Sequence, residues 1–257
     1  MEKIFVLNKE RNVTLNAMVQ PLTPELKHIK KRPAILVIPG GGYQMCSDRE
    51  AEPIAYGYMQ AGFNAFVLRY SVGSHVSWPN PLNDYEQAME LIKEHASEWN
   101  IDTAKIAVVG FSAGGHLALM AASVSKYKPA AAVLGYPALK KDFWKIFYDV
   151  VDDAIEKVNE TTCPCFVFST RTDQVVPIEN SVDLLGALVK FGVPFESHIY
   201  SCGPHGLSNC DSSLQFPGWT FTPRAKNWFN DSIAWLREVM GDFSDGTFSS
   251  QSENKKK

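Results

Sequence analysis

The sequence predicts an α/β protein in which helices cover both faces of a mostly parallel central β-sheet. Two observations support this: six short apolar runs rich in β-branched and aromatic residues recur along the chain, and helical patterns lie between them. Runs that are apolar throughout, rather than alternating, are typical of parallel strands buried on both faces. Chains that alternate strands and helices form doubly wound sheets, whose ligands bind beyond the carboxyl ends of the strands.

The first predicted parallel strand is residues 34–38, AILVI, which ends at Pro39-Gly40. Five later runs share its apolar character: residues 64–70, 105–110, 130–136, 165–170 and 195–200. Residues 1–19, with IFVL and VTLNAMV, are expected to add a β-hairpin at one edge of the sheet.

Three stretches place apolar residues three or four positions apart, as amphipathic helices do. Their apolar stripes consist of Leu82, Tyr85, Met89, Ile92, Ala96 and Trp99, of Ile178, Val182, Leu185 and Val189, and of Phe229, Ile233, Leu236 and Met240. Residues 241–257 are rich in serine and end in lysines, so we expect a disordered tail. The prediction is a single domain over residues 1–240 followed by that tail.

The length and net charge of the chain limit the classes of function that it could have. The chain has 257 residues, 45% of them hydrophobic, which suits one large core. Its formal net charge of −3 shows no basic excess, so neither nucleic acid nor a membrane is an expected partner. The N-terminus lacks the pattern of a secretion signal, no run is long enough for a membrane span, and the cysteine count of 5 is odd. We expect a cytoplasmic protein with reduced thiols, and a homo-oligomer is compatible with the sequence.

Residues 108–116, VVGFSAGGH, contain the pattern G-x-S-x-G, with Ser112 between Gly110 and Gly114. The pattern follows a predicted strand directly and precedes a helical run, where a sharp turn would expose the Ser112 hydroxyl. The flanking glycines leave room for such a turn. The alternative is a glycine-rich turn whose serine only caps the helix, so the partners of a nucleophile have to be found elsewhere.

A serine hydroxyl is a weak nucleophile that needs a base and a group to orient the base. In this motif the chain order is nucleophile, acid, histidine. His205 lies in a Gly/Pro-rich loop after the last predicted strand and is the candidate base, whereas His198 falls within that strand and His116 within the helix after Ser112. Asp173 follows the preceding strand and is the candidate acid, with a turn-forming role as the alternative. Four weaker candidates resemble charges on a helix surface: Asp142, Asp149, Asp152 and Asp153.

Three consecutive glycines, Gly40 to Gly42, follow the first parallel strand. They would let the backbone turn its amides toward a substrate, so the amides of Gly41 and Gly42, together with that of Ala113, are candidates for an oxyanion hole. On its own, the glycine triplet would be interpreted as a flexible turn. A phosphate-binding loop is the other alternative, but the G-K-[ST] sequence that it requires does not follow the triplet. One cluster of residues could in principle hold a metal ion: Cys202, His205, Cys210 and Asp211. Its spacing matches no standard zinc pattern, so we expect no metal or cofactor.

In combination these parts resemble the α/β-hydrolase superfamily, and within it the small esterases of the acetyl esterase and acetylxylan esterase type. The likeness extends from about residue 35 to about residue 207 and includes PGGGYQMCSDREAEPIA, LRYSV, GFSAGGHLA, TDQVVPIENS and GPHGLS, in that order. The resemblance implies an α/β-hydrolase fold and a serine carboxylesterase with a triad of Ser112, His205 and Asp173. It also implies a small-molecule ester substrate with a short acyl group, often acetyl, carried by carbohydrate.

Candidate specificity residues come from aromatic segments. The segment of residues 138–163 is longer than a simple crossover connection requires. Its aromatic residues could form a small cap over the site or could pack in the ordinary way: Phe143, Trp144, Phe147 and Tyr148. Tyr43, Arg69 and Trp144 are candidate pocket residues, with a structural ion pair as the alternative for Arg69. Aromatic residues on two further predicted loops suit sugar rings and aryl esters equally: Trp78, Phe216, Trp219 and Phe221.

Two other functions remain open at the sequence level. The same triad would serve an arylformamidase or a small peptidase, which cleave amides instead of esters. A hydrolase fold without catalysis would be a binding protein, an alternative that the complete set of Ser112, Asp173 and His205 disfavours.

Overall fold

The computed structural model describes residues 1–144, 152–241 and 243. Its strands are β1 Glu2–Asn8, β2 Val13–Met18, β3 Arg32–Ile38, β4 Asn64–Arg69, β5 Ile101–Phe111, β6 Ala132–Gly135, β7 Cys165–Thr170 and β8 Phe195–Tyr200. Within the described residues they form one eight-stranded sheet in the order β1-β2-β4-β3-β5-β6-β7-β8.

The sheet is parallel from β4 across to β8, since every neighbouring pair in that part runs in the same direction. β1 and β2 form an antiparallel hairpin, and β2 joins the sheet antiparallel to β4, with Thr14 opposite Arg69. β3 is buried along its whole length, as expected for a parallel strand covered on both faces. The predicted fold class and edge hairpin are therefore confirmed.

The helices are α1 Glu52–Gln60, α2 Asn80–Glu94, α3 Ala113–Val124, α4 Lys141–Trp144, α5 Glu179–Lys190 and α6 Trp228–Met240. α2, α3 and α5 pack on one face of the sheet, in the cluster of buried residues that contains Met89 and Leu184. α1 and α6 pack on the other face, in the cluster that contains Ile54 and Leu236. Gly57 of α1 lies so close to Phe229 of α6 that a Cβ there would be 2.5 Å from the ring.

Two predicted segments are described only in part. Residues 145–151, with Phe147, Tyr148 and Asp149 of the predicted cap, lie outside the described residues, as does the predicted tail apart from Gly241 and Phe243. None of the helices in the described part of the chain combines the length and the apolar composition needed to cross a membrane.

The carboxyl ends of the parallel strands lie at one edge of the sheet. The glycine loop follows β3, Ser112 follows β5, and Tyr136 follows β6. Asp173 lies three residues after β7, and His205 five residues after β8. The topology therefore gathers the loops that carry the candidate catalytic residues.

Candidate active site

Ser112 occupies the turn between β5 and α3 with φ 51° and ψ −114°. A positive φ is strained for a residue with a side chain, and it persists only where the surroundings hold it. Here the Ser112 N–H donates to the carbonyl of Gly135 at 3.0 Å, and its carbonyl accepts the amides of His116 and Ala138, both at 3.1 Å. The turn is therefore fixed by three backbone hydrogen bonds.

The two motif glycines are required by contact with backbone atoms. A Cβ on Gly114 would collide with the carbonyl oxygen of Ile38 in β3. A Cβ on Gly110 would collide with the carbonyl oxygen of Gly114 and lie 2.7 Å from the Cβ of Ala118. Close packing of α3 against β3 and β5 thus explains why Ser112 stands among very small neighbours.

Ser112, His205 and Asp173 form a continuous hydrogen-bonded chain. His205 Nε2 lies 2.9 Å from Ser112 Oγ, and His205 Nδ1 lies 2.7 Å from Asp173 Oδ2. Because a carboxylate only accepts, the Nδ1 proton faces Asp173, which leaves Nε2 to accept the Ser112 hydroxyl proton. The structure therefore brings together the three residues predicted from the sequence, in the tautomer that a general base needs.

Asp173 is itself held rigidly. Its side chain is 2% exposed, and Oδ1 accepts the amides of Val175 at 2.8 Å and Val176 at 2.9 Å. This is the turn-forming role that the sequence offered as an alternative, and it uses only Oδ1, which leaves Oδ2 for the bond to His205.

The loop that carries Asp173 is tied to the loop that carries His205. Thr170 Oγ1 donates to the carbonyl of Gly203 at 2.8 Å, and the Gly203 amide donates to Thr172 Oγ1 at 3.0 Å. These bonds fix the position of the Asp173 loop relative to the His205 loop.

The glycine loop borders the same cavity. Gly41 and Gly42 have φ values of 125° and 64°, which favour glycine, and both line the cavity beside Ser112. Among the described residues, no hydrogen bond takes the N–H groups of Gly41 and Gly42. Ala113 is the first residue of α3, where amides have no partner within the helix. Gly41 and Gly42, two of the three predicted donors of an oxyanion hole, thus border the cavity, and Ala113 directly follows Ser112 in the chain.

A buried carboxylate that the sequence analysis did not single out lies between these loops. Glu50 is 3% exposed, with Oε2 accepting the Gly40 amide at 2.9 Å and Oε1 accepting the Tyr136 hydroxyl at 2.6 Å. Burial, reinforced by the charge of Glu50, raises the pKa of Tyr136 well above its ordinary value, so this hydroxyl stays protonated and donates. The ring of Tyr136 packs edge-on to His205, with centroids 5.0 Å apart.

The cavity has a volume of about 470 Å³. Arg49 forms part of its wall, stacked 4.8 Å from the ring centre of Phe216 and 5.2 Å from that of Trp219. The guanidinium also donates to the carbonyls of Gly206 and Leu214, each at 2.9 Å. Described residues that line the cavity are Gly41, Gly42, Gln44, Met45, Ser47, Arg49, Glu50, Ser112, Trp144, Val175, His205, Gly206, Phe216 and Trp219.

Of the three predicted pocket residues, only Trp144 lines this cavity. Tyr43 is fully buried behind the glycine loop, where its hydroxyl bonds to His116 Nδ1 at 2.9 Å. Arg69 pairs with Asp48 and Glu52, each at 2.9 Å, which is the ion-pair alternative weighed for it. The expectation that Tyr43 and Arg69 contact substrate is corrected accordingly.

The two histidines set aside as structural lie away from the reacting groups. His116 is fully buried, and its Nε2 bonds to the carbonyl of Asp152 at 2.8 Å. Burial lowers the pKa of His116 to about 4. His198 stacks on Phe166 and bonds to Glu196 at 2.7 Å. Within residues 1–144, 152–241 and 243, no three His, Cys, Asp or Glu side chains are grouped as metal ligands would be.

Comparison with known proteins links this site to a family. The family model BD-FAE matches residues 22–132. Among solved structures, the chain is similar to MGS-M1, an α/β-hydrolase enzyme from a Medee basin deep-sea metagenome library, with a TM-score of 0.87 and 41% identity. That match covers 93% of this chain and 98% of the other.

Two curated relatives are much longer than this chain. Endo-1,4-beta-xylanase B of Butyrivibrio fibrisolvens is 34% identical over 220 residues, which are 74% of this chain and 34% of that protein. Acetylxylan esterase of Xylanibacter ruminicola is 27% identical over 196 residues, 68% of this chain and 41% of that protein. The chain thus spans less than half the length of either. Because the match to MGS-M1 covers almost all of both chains, the chain belongs to the α/β-hydrolase superfamily.

Proposed function

We propose that the chain is a serine esterase that hydrolyses short-chain acyl esters, acetyl esters above all, carried by carbohydrate. The observation that supports this most is the hydrogen-bonded chain from Ser112 Oγ through His205 to Asp173, placed at a cavity that Gly41 and Gly42 border. That arrangement contains the nucleophile, the base, the orienting acid and the oxyanion donors that acyl transfer needs.

In the first half-reaction, Ser112 Oγ attacks the ester carbonyl carbon while His205 Nε2 takes the hydroxyl proton. The carbonyl oxygen becomes an oxyanion, which the amides of Ala113 and of Gly41 or Gly42 stabilise. Collapse of this intermediate breaks the bond to the leaving alcohol, and His205 returns its proton to the alcohol oxygen. The products are the free alcohol and an ester of Ser112.

In the second half-reaction, His205 removes a proton from water, and the resulting attack on the acyl-serine forms a second oxyanion at the same amides. Collapse breaks the bond to Ser112 Oγ, which regains the proton from His205, and the carboxylic acid leaves. Asp173 stabilises the imidazolium in both halves without becoming protonated.

Two observations support a carbohydrate as the alcohol part of the ester. A relative that aligns with 68% of this chain is named an acetylxylan esterase. Phe216 and Trp219 also give the cavity an aromatic wall beside Arg49, and aromatic faces bind the apolar faces of sugar rings as well as aryl groups.

The proposal is tested by comparing turnover of three substrate sets by the wild type and Ser112→Ala. The sets are nitrophenyl esters of increasing chain length, acetylated xylose and xylo-oligosaccharides, and amides represented by formylkynurenine and dipeptide amides. We expect kcat/KM to be highest for acetyl esters and for acetylated sugars, with Ser112→Ala inactive. Preference for formylkynurenine or dipeptide amides would favour the arylformamidase or peptidase alternative, and an inactive wild type would favour a binding protein.

The cellular location and the oligomeric state of the chain stay predictions. A cytoplasmic location is checked by fractionation, and the oligomeric state by light scattering of the purified chain.

A further inference from the structure

Glu50 contacts both halves of the catalytic site. It ends a short 3-10 turn, Asp48–Glu50, between the glycine loop and α1. Its side chain is 3% exposed, and its two oxygens have different partners: the Gly40 amide at 2.9 Å and the Tyr136 hydroxyl at 2.6 Å. A buried carboxylate with one donor on each oxygen holds those two donors at a fixed separation.

The first partner leads to the nucleophile and the oxyanion donors. A Cβ on Gly40 would lie 2.9 Å from the carbonyl oxygen of Phe111 and 3.1 Å from the Cβ of Ser112, so Gly40 packs directly against the strand-to-helix turn. The bond from the Gly40 amide to Glu50 therefore sets the direction in which the chain enters Gly41 and Gly42.

The second partner leads to the base. Tyr136 packs edge-on to the His205 ring, and its hydroxyl oxygen accepts the amide of Ser208 at 3.0 Å. The adjacent residue, Arg49, contacts the same loop, since it donates to the Gly206 carbonyl and its own carbonyl accepts the Ser208 hydroxyl at 2.5 Å. The loop that carries His205 is thus bound to the Arg49–Glu50 segment on both sides of Leu207.

We propose that Glu50 is a positioning residue that sets the distance between the oxyanion donors and His205, so that both reach one substrate carbonyl. The inference rests on the proposed function of the triad as an esterase. Glu50 acts through Gly40 and Tyr136 and not on the reacting atoms. Its loss therefore lowers the rate of acyl transfer more than it weakens substrate binding.

The test measures kcat and KM for p-nitrophenyl acetate in Glu50→Gln, Tyr136→Phe and the double variant. Glutamine keeps the size of glutamate but replaces one accepting oxygen with an NH2 group, which only donates, so it cannot accept at both of the positions where the Glu50 oxygens bind Gly40 and Tyr136. We expect Glu50→Gln to lower kcat by roughly 10- to 100-fold while KM stays within about twofold. Because Tyr136→Phe removes the competing donor, the double variant is expected to be no slower than the slower single variant.

Asp84→Asn is the matched control. Asp84 is also a fully buried carboxylate with two partners, the Arg11 guanidinium at 2.7 Å and the Ser71 amide at 2.8 Å, but it does not line the cavity. We expect Asp84→Asn to lower the midpoint of thermal unfolding while kcat is retained. Tyr136→Phe tests the same bridge from its other end if Glu50→Gln does not fold.

The possible outcomes separate the two proposals. Unchanged kcat in Glu50→Gln, additive losses in the double variant, or an equal fall of kcat in Asp84→Asn would overturn the positioning role while the wild type remains an active esterase. A wild type that hydrolyses none of the esters would overturn the proposed function, and the role of Glu50 with it.

Discussion

Ser112 and His205 are 93 residues apart in the chain, yet the Ser112 Oγ and the His205 Nε2 lie 2.9 Å from each other. The strands that precede them, β5 and β8, are separated in the sheet by β6 and β7. Strands in a sheet are about 4.8 Å apart, so the loop after β8 has to cross roughly 14 Å to reach Ser112. Hydrogen bonds from this loop to Thr170, Thr172 and Arg49 hold the loop across that distance.

Asp173→Asn is expected to lower kcat for p-nitrophenyl acetate by about 10³- to 10⁴-fold without unfolding the protein. Asparagine retains an oxygen for the amides of Val175 and Val176, but it presents an N–H group to His205 Nδ1. The ring proton then moves to Nε2, which can no longer accept from Ser112.

The control for this substitution is Asp183→Asn on α5, where the carboxylate pairs with Lys140 at the surface. Circular dichroism verifies that each variant is folded. A kcat for Asp173→Asn within tenfold of the wild type would show that another group orients the base.

Gly114→Ala is expected to destabilise the fold by at least about 2 kcal/mol, because its Cβ would overlap the Ile38 carbonyl in a strand paired on both sides. Gly186→Ala on the exposed face of α5 is the matched control, since nothing lies within 4 Å of its Cβ position. It is expected to stabilise the protein by about 0.5–1 kcal/mol through helix propensity. Urea unfolding measures both, and equal effects would contradict the packing argument.

His116 makes the stability depend on pH. Burial lowers the pKa of His116 to about 4 in the folded protein, against an ordinary value of 6.5, so the unfolded chain binds the proton more strongly. The free energy of unfolding is therefore unaffected by this group above pH 6.5 and falls as the pH drops from about 6.5 to about 4, by about 3 kcal/mol in total.

His116→Gln tests this dependence, because glutamine can bond to Tyr43 and Asp152 but does not titrate. Urea unfolding at pH 7 and pH 4.5 is expected to show a smaller loss in this variant than in the wild type. Equal losses in His116→Gln and the wild type would show that His116 is not the group responsible.

Trp219→Ala is expected to raise KM for acetylated xylo-oligosaccharides by about 3- to 10-fold, because it removes an aromatic face from the cavity wall. KM for ethyl acetate should change little, since its leaving group is too small to reach that wall. Tyr56→Ala, an exposed aromatic substitution on α1, controls for general effects. If both esters lose equally, Trp219 supports the loop and does not contact the alcohol.

Much of the site was predictable because its residues follow strands directly. Ser112, Asp173 and His205 each lie within five residues of a strand end, and a parallel sheet brings such ends to one edge. The strands themselves were recognisable from their continuous apolar composition. Neither inference needs knowledge of side-chain directions.

The residues that were misjudged or missed depend on side-chain direction and on contacts between loops. Tyr43 is adjacent to the glycine loop in sequence, but its φ of 58° belongs to a turn that sends its ring into the core, where it packs on Tyr70 and Trp144. Glu50 and Tyr136 are 86 positions apart, and neither belongs to a spacing pattern that would pair them. Their bond exists only because two loops meet at the carboxyl edge of the sheet.

The most direct test of the catalytic assignment is labelling by a fluorophosphonate probe, followed by mass mapping of the modified peptide. The probe phosphonylates a serine only when a base and an oxyanion hole activate it. We expect one adduct, on Ser112, which forms in the wild type and is absent from Ser112→Ala. An unlabelled wild type, or an adduct that persists in Ser112→Ala, would contradict the assignment of Ser112 as the nucleophile.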